Sequence, residues 1–450
     1  MDQGNIFNAL RLPGNELVAS GLVKFPIREP RNSESPGENK AVLSDTLCFS
    51  GKVTEKDEKI VDLRKAGQVL MKKGKKIRVA WEFSSRDYIN GPRYIMACSG
   101  GTISYSTTVG RVCALDAKTG ALKWEYSQKS MVFSPPAVGE DSTLYFGSDN
   151  NFLYAINSND GRLKWKYRAT GPVQFEPVTS KDGAVYFVCG DKLYAVDEKT
   201  HKKKWCYKAG DAVSAPPAVG PDGTLFVPAR DCTITAVDKD TGKPVWKAEG
   251  TNYSDYSPVV DNNNYVYFSN DEGEIFCLDG STGRWKWKYS DIKGAYISSA
   301  PALSDDGVLF VGDNRGVLTA IDCSTGRKKW EFKTGGRIFS TPALDGKGNV
   351  LFGSDDGHLY VLNQDTGKLK FKYNAGFEVT YRVLPQDGGI ACITSNTGKL
   401  QAIIYDFESR VNGNEENSQD GGKLGAVQGI IKENDVVNIG GVKLPVRKKE

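Results

Sequence analysis

Trp81, Trp124, Trp165, Trp205, Trp246, Trp287 and Trp330 recur 40 to 43 residues apart, and Phe371 continues the series. A fixed period of this length means one structural unit repeated, each copy burying its apolar face against the next. From Trp124 to Phe371 every anchor lies four residues after a short polar turn, such as Asp116-Ala-Lys-Thr-Gly120 or Asp322-Cys-Ser-Thr-Gly326. Asp or Asn opening such a turn can accept a hydrogen bond from a backbone N–H about two residues on, and Gly at its fifth position can take the left-handed conformation that closes a bulged hairpin. His201 replaces that Gly once, and His tolerates positive φ better than most residues.

Each unit holds four strand-like runs, A to D. In one copy they are Ser340–Leu344, Val350–Ser354, His358–Leu362 and Lys368–Tyr373. The runs alternate with period two, so they predict strands and not helices. Four strands per 40 to 45 residues is the pattern of a β-propeller blade. After Phe371 three more runs, Val379–Leu384, Gly389–Thr394 and Leu400–Ile404, supply A, B and C of a further blade with no turn and no D strand after them. Trp81 has a D-type run and no turn before it. The simplest reading joins the two: an all-β, eight-bladed propeller of four-stranded antiparallel blades, closed by the N-terminal strand. Closure of this kind removes the free ends of the array. Seven blades is the alternative if the Trp81 run is not a member.

The segment Ala114 to Trp124, matched by Ala236 to Trp246 and Ala320 to Trp330, resembles the tryptophan-docking motif of pyrroloquinoline-quinone-type (quinoprotein-like) propellers. The resemblance spans roughly residues 74–405. It implies that Trp81, Trp124, Trp165, Trp205, Trp246, Trp287, Trp330 and Phe371 are structural blade-docking residues packed between neighbouring blades. One branch of the family comprises quinone-dependent alcohol and glucose dehydrogenases. Those that use an adjacent-cysteine disulfide need a Cys-Cys pair, which this chain lacks, and the enzymes carry long insertions where these repeats are short. The other branch is non-enzymatic and includes outer-membrane assembly lipoprotein B, a scaffold exported with a lipidated Cys. The fold carries over; neither role does so as a whole.

Outside the repeat, residues 1–73 form an N-terminal extension, with a loop at Asn32–Lys40 and a short helix expected over Val61–Lys73. Residues 406–450 read as a flexible tail ending in an apolar, strand-like segment, Val436–Val446, that would dock in cis or in trans.

The remaining chemistry is sparse. With only His201 and His358, and those in different blades, a histidine-based metal or nucleophilic site is not expected. The acidic turns at Asp149, Asp271, Asp313 and Asp355 lack the spacing of a calcium loop and read as hairpin turns. Lysines flank the D-strand anchors, as at Lys164, Lys166, Lys202 to Lys204, Lys286 and Lys288, and suit an outer edge that must resist strand addition. A polyanion site is the alternative there. Net charge is only +4, which argues against a nucleic-acid binder. Nine dispersed cysteines without a CxxC pair read as reduced structural thiols, hence a reducing compartment. Residues Met1–Gly14 show no secretory or lipoprotein signal, and no apolar run approaches the roughly 20 residues of a membrane span. A cytoplasmic protein is expected, with particle-associated export the alternative. No cofactor is expected. The functional expectation is a non-catalytic scaffold for protein partners, with a carbohydrate or small-ligand sensor at the channel mouth, and then a quinone-dependent oxidoreductase, as the alternatives.

Overall fold

The computed structural model describes residues 79–85, 96–249, 255–270, 272–290, 295–395 and 397–405, together with three short strand pairs outside them. The chain divides into two units, Met1–Thr54 and Glu55–Glu450. In the first, only the pairing of Leu10–Arg11 with Leu17–Val18 is described. The second contains eight four-stranded antiparallel sheets, the blades. Blade 1 runs Ala97–Ser99, Thr102–Ser106, Arg111–Asp116 and Leu122–Ser127, its strands A to D. Blades 2 to 7 repeat that order, starting at Ala137, Val178, Ala218, Val259, Ala302 and Ala343.

Blade 8 is composite. Its A, B and C strands, Leu384–Gln386, Ile390–Thr394 and Lys399–Ile404, pair with a D strand, Val79–Ser84, from the other end of the chain. Ala402 faces Trp81 in the same register in which Ala114 faces Trp124 and Ala320 faces Trp330. The C–D ladder shifts register once in every blade just past this pair, and the composite blade keeps the shift between Ala402 and Ile403. Eight blades, not seven, therefore form the circle.

Period-two alternation sends successive side chains of one strand to opposite neighbours. In blade 2, Leu144 and Phe146 enter the cluster shared with blade 1, whereas Tyr145 enters the cluster shared with blade 3. Eight such clusters exist, one at each interface, and that between blades 8 and 1 contains Trp81, Leu400, Ile103 and Leu115. A sheet covered on both faces must bury every residue, and the B strand Thr143–Gly147 is buried throughout. The D strands are outermost and alternate between exposed and buried positions, as in Leu122–Ser127.

Three expectations need correction. The A strands are shorter than their apolar runs: Ser340–Leu344 pairs only at Ala343 and Leu344, because Pro342 has no N–H to contribute to a ladder. The A strand of blade 8 starts at Leu384, not Val379; Val379, Tyr381 and Val383 are buried by alternation but precede the ladder. Within Val61–Lys73, Met71 and Lys72 form a strand paired with Lys75 and Lys76, and the rest of that stretch, like the loop at Asn32–Lys40, lies outside the described residues. The C-terminal apolar segment folds as two strands, Val436–Ile439 and Val442–Pro445, paired with each other.

Candidate functional site

The repeated turn and the repeated tryptophan meet across each interface. Asp116 Oδ1 accepts hydrogen bonds from the backbone N–H groups of Lys118 and Thr119 and from the Thr119 hydroxyl, at 3.1, 2.9 and 2.9 Å, reaching one residue further than the simplest turn requires. This holds Gly120 at φ +69°, and a Cβ built there would lie 2.7 Å from the Trp81 ring of the preceding blade. The Trp81 indole N–H donates to the carbonyl of Ala117, second residue of the same turn, at 2.9 Å. Trp124, Trp205, Trp246, Trp287 and Trp330 repeat the bond to Ser158, Lys239, Gly280, Cys323 and Gln364 at 2.7–3.0 Å. Trp165 differs because its turn carries His201 at φ 59°: the two rings stack, centroids 4.9 Å apart. Phe371 has no side-chain N–H and packs into the cluster between blades 7 and 8.

Five of the lysines flanking the D-strand anchors are engaged by their own surroundings, whereas Lys202 and Lys203 are exposed. Lys164 reaches Asp141 at 3.0 Å, Lys204 lies 4.0 Å from Asp182, and Lys288 pairs with Glu274 at 2.5 Å. Lys166 and Lys286 lie over the rings of Phe152 and Tyr265, at 4.7 and 5.0 Å. A rim so compensated offers little to a polyanion. The described acidic turns use their carboxylates locally: Asp313 accepts from the N–H groups of Arg315 and Val317 and pairs with the Arg315 guanidinium at 2.8 Å, Asp149 accepts from Gln174 at 2.9 Å, and Asp355 lies 3.7 Å from the Arg337 guanidinium. His358 Nδ1 contacts its own turn at the Asp356 carbonyl, 2.9 Å away. Among the described residues eight cysteines are free thiols; Cys113, Cys277 and Cys323 are buried, and burial pushes the last two up to about 12.

None of these groups converges on a cavity. The cavity is at the axis, where the chain enters each A strand. The D–A connectors and B–C turns share one face of the propeller, since the D strand ends beside the start of C, as in Phe152 opposite Arg168. At this mouth a small space of about 90 Å³, partly open to solvent, lies between Glu176, Asp255, Tyr256, Phe339, Tyr381 and Arg382 among others. Two residues before each A strand, blades 2, 4, 5, 6 and 7 present Pro135, Pro216, Ser257, Ala300 and Thr341 to this space. Blade 3 presents Glu176 and blade 8 presents Arg382 at the same position. Neither makes a hydrogen bond or ion pair within the described residues. Burial pushes the Glu176 carboxyl up to about 7, against the pull of the Arg382 guanidinium. Sequence reasoning missed both. The available signal was that they are the charged exceptions at a repeat position otherwise Pro, Ser, Ala or Thr.

Comparison with known proteins places the architecture. The family described as outer membrane protein assembly factor BamB matches residues 73–208, 189–302 and 290–403. The chain belongs to this family. No curated protein sequence matches it. Its fold is similar to the crystal structure of BamB from Moraxella catarrhalis, with a TM-score of 0.59 and 18% identity over 73% of this chain and 99% of that one. It is also similar to the computationally designed Ika8 protein (0.62, 18%, 71% and 98%) and to a europium-containing methanol dehydrogenase (0.56, 15%, 70% and 84%). At these identities the likeness is one of fold.

The dehydrogenase neighbour raises the question of a quinone and its metal. The residues of this BamB-family mouth do not fit them. An anionic quinone needs an excess of positive charge, and among the described lining residues Glu176 and Asp255 face Arg382 alone. Among the described residues no three His, Cys, Asp or Glu side chains come together to hold a cation. Nor does any described helix have the length and apolarity to cross a membrane.

Proposed function

We propose that this chain is a non-catalytic propeller that docks other proteins of an assembly on the face bearing the D–A connectors and B–C turns. What supports the reading is the distribution of exposed apolar side chains. Val109, Met131, Tyr296 and Phe339 are 54, 46, 57 and 39% exposed, and all four lie on this face. The other exposed large apolar side chains, Leu122, Leu163, Val245, Trp285 and Leu369, follow the C–D turns at the start of D strands, spread one to a blade around the outer edge, whereas those on this face come in two close pairs. Val109 sits in the blade 1 turn that bonds the connector carrying Met131, through Gln128 N–H to the Gly110 carbonyl at 2.9 Å. Tyr296 and Phe339 flank the blade 6 turn: Asn314 N–H donates to the Tyr296 carbonyl, and Ile338 N–H to that of Asp313. Large apolar groups on a rigid frame, ringed by polar residues, are the usual anchors of protein recognition.

The test is co-purification of partners by the full chain, compared with Val109→Asp/Met131→Asp and Tyr296→Asp/Phe339→Asp double variants that keep the parental melting temperature. Loss of the same partners with either pair is expected. Partners retained by both variants, or turnover of alcohols or sugars when quinone, calcium and an artificial electron acceptor are supplied, would overturn the reading.

A further inference from the structure

We infer that the hairpin at Val436–Pro445, with the basic run that follows it, docks within its own molecule on the exposed aromatic pair Tyr296 and Phe339. This concerns half of the face assigned above to partners, but it does not rest on partner docking. Val436–Ile439 and Val442–Pro445 pair with each other in a sheet of two strands. A lone two-stranded ribbon is at most marginally stable in water and needs a surface to pack on. Its composition suits an apolar surface: Val436, Val437, Ile439, Val442, Leu444 and Val446 alternate with few polar residues, and the register sets Val437 opposite Leu444 and Ile439 opposite Val442. On the propeller, Tyr296 and Phe339 are 57 and 39% exposed. The blade 6 turn holds both in place: Tyr296 N–H donates to Asn314 Oδ1 at 3.0 Å, and Ile338 N–H donates to the Asp313 carbonyl.

Charge decides between the two apolar pairs of that face. The hairpin is followed by Arg447, Lys448 and Lys449. Connectors 334–342 and 375–383 and the B–C turns of blades 6 and 7, which surround Phe339, are described throughout. Within them Arg315 is taken up by Asp313 at 2.8 Å, and Arg382 stands at the axis. Asp355, Asp356 and the exposed Glu378 are left against Arg337. The Arg337 guanidinium lies 5.7 Å from the centre of the Phe339 ring and 3.7 Å from Asp355 Oδ2, so the acidic groups adjoin the ring. Asp355 Oδ1 is out of water with no hydrogen bond among the described residues. Burial, with the neighbouring Glu378 carboxylate, pushes the Asp355 carboxyl up to about 6 against the pull of Arg337. Beside Val109 and Met131 the described charges are Arg111 paired with Glu125, Asp149 and the exposed Lys129, with no acidic excess. Reach is ample. Residues 406–435 join Tyr405 to Val436 and can span about 100 Å at most, against the roughly 20 Å of blade strand between the two faces. A tether within one chain gives an effective concentration of about millimolar, so docking in the same molecule outcompetes a second copy at micromolar protein.

The experiment uses the full chain. Carbodiimide coupling, which joins an amine to a carboxylate with no spacer, followed by mass mapping of the monomer, is expected to link Lys448 or Lys449 to Glu378 or Asp355. Tryptic cleavage after Lys443 and Arg447, measured against cleavage after Lys423 and Lys432 of the same molecule, reads the undocked population. Phe339→Asp should speed it about tenfold or more, the worth of one buried aromatic contact. Glu378→Lys should speed it about threefold, an effect that disappears in about 1 M salt, where charges are screened within about 3 Å. Tyr296→Ser replaces the first variant if that one fails to fold. Coupling only between copies, coupling to neither carboxylate, cleavage unchanged by Phe339→Asp and Glu378→Lys, or an equal effect of Val109→Asp would overturn the inference. Docking of the hairpin in a chain that captures no partner would count against the function proposed above and leave this one standing.

Discussion

Gly326→Ala tests whether the indoles are seated on the turns, because the molecule contains its own control. Gly326 and Gly346 both have φ +68°. A Cβ at Gly346 would meet nothing within 4 Å, whereas one at Gly326 would lie 2.6 Å from Trp287 Cδ2. The conformational cost of alanine at this φ, about 1 kcal/mol once the stiffer unfolded chain is credited, is common to both variants. At Gly326 the methyl also sits roughly 1 Å inside ordinary carbon–carbon contact. Either the turn or the indole must retreat by that distance. The Trp287 N–H to Cys323 carbonyl bond, now 2.8 Å, then passes beyond hydrogen-bond range. Losing that bond costs about 1 kcal/mol, and disturbing the packed indole about another 1–2 kcal/mol. Gly326→Ala should thus destabilise by about 3–4 kcal/mol and Gly346→Ala by about 1 kcal/mol. Guanidinium unfolding followed by tryptophan fluorescence reads the difference as a larger fall in midpoint at equal slope. Equal midpoint shifts for the two variants would refute the seating of Trp287 on the turn.

His201→Gly should change stability little, since relief of its left-handed backbone offsets loss of the Trp165 stack, whereas His201→Ala keeps the first cost and loses the second, about 1–2 kcal/mol in thermal unfolding. A chain beginning at residue 86 lacks the blade 8 D strand and leaves Lys399–Ile404 as an open edge over the Trp81 cluster. It should aggregate on size exclusion and be rescued by a peptide spanning residues 77–86; a monomer with unchanged melting temperature would contradict the closure. Glu176 is raised in the folded state, so folding takes up protons there, and its contribution to stability falls as pH rises from about 4.5 towards 7. Glu176→Gln should therefore match the parent near pH 4 and melt progressively higher than it up to neutral pH; a gap of the opposite sign would exclude a desolvated carboxylate.

Much of this fold was legible because its determinants are local and repeated. The turn and the tryptophan lie within eleven residues of each other, as in Ala114 to Trp124, so one copy teaches the rest. The closure was legible for the opposite reason: a D strand without a turn and three strands without a D strand leave one arrangement that satisfies both. What stayed hidden is decided between blades. His201 reads in sequence as a tolerated exception, and only the three-dimensional register brings it under Trp165, 36 residues earlier. Residues 379–383 alternate like a strand because they are buried like one, yet they belong to the connector that lines the axis. Glu176 and Arg382 lie in different blades and no local motif links them. Equivalence of position relates them, and that requires the start of each A strand, the boundary that proline makes hardest to place.

The two departures from the tryptophan rule mark places where its partner changes. An indole seated on the next turn needs a Gly beneath it and a carbonyl for its N–H. Where the turn offers His201, Trp165 takes a stacked ring and makes no such bond within the described residues. Phe371 precedes blade 8, whose C strand ends at Ile404 and whose D strand arrives from Val79, so no Asp-x-x-Thr-Gly turn joins them. An indole there would bury an N–H without the carbonyl that serves it elsewhere, a loss of about 1–3 kcal/mol, and phenylalanine fills the same space without that donor. The seam of the circle is thus written twice, once in the borrowed strand and once in the single anchor that lacks a nitrogen. The seats of the tryptophans lie on the C–D face and outer edge. On the other face the connectors and B–C turns differ from blade to blade, and they carry Val109, Met131, Tyr296, Phe339, Glu176 and Arg382.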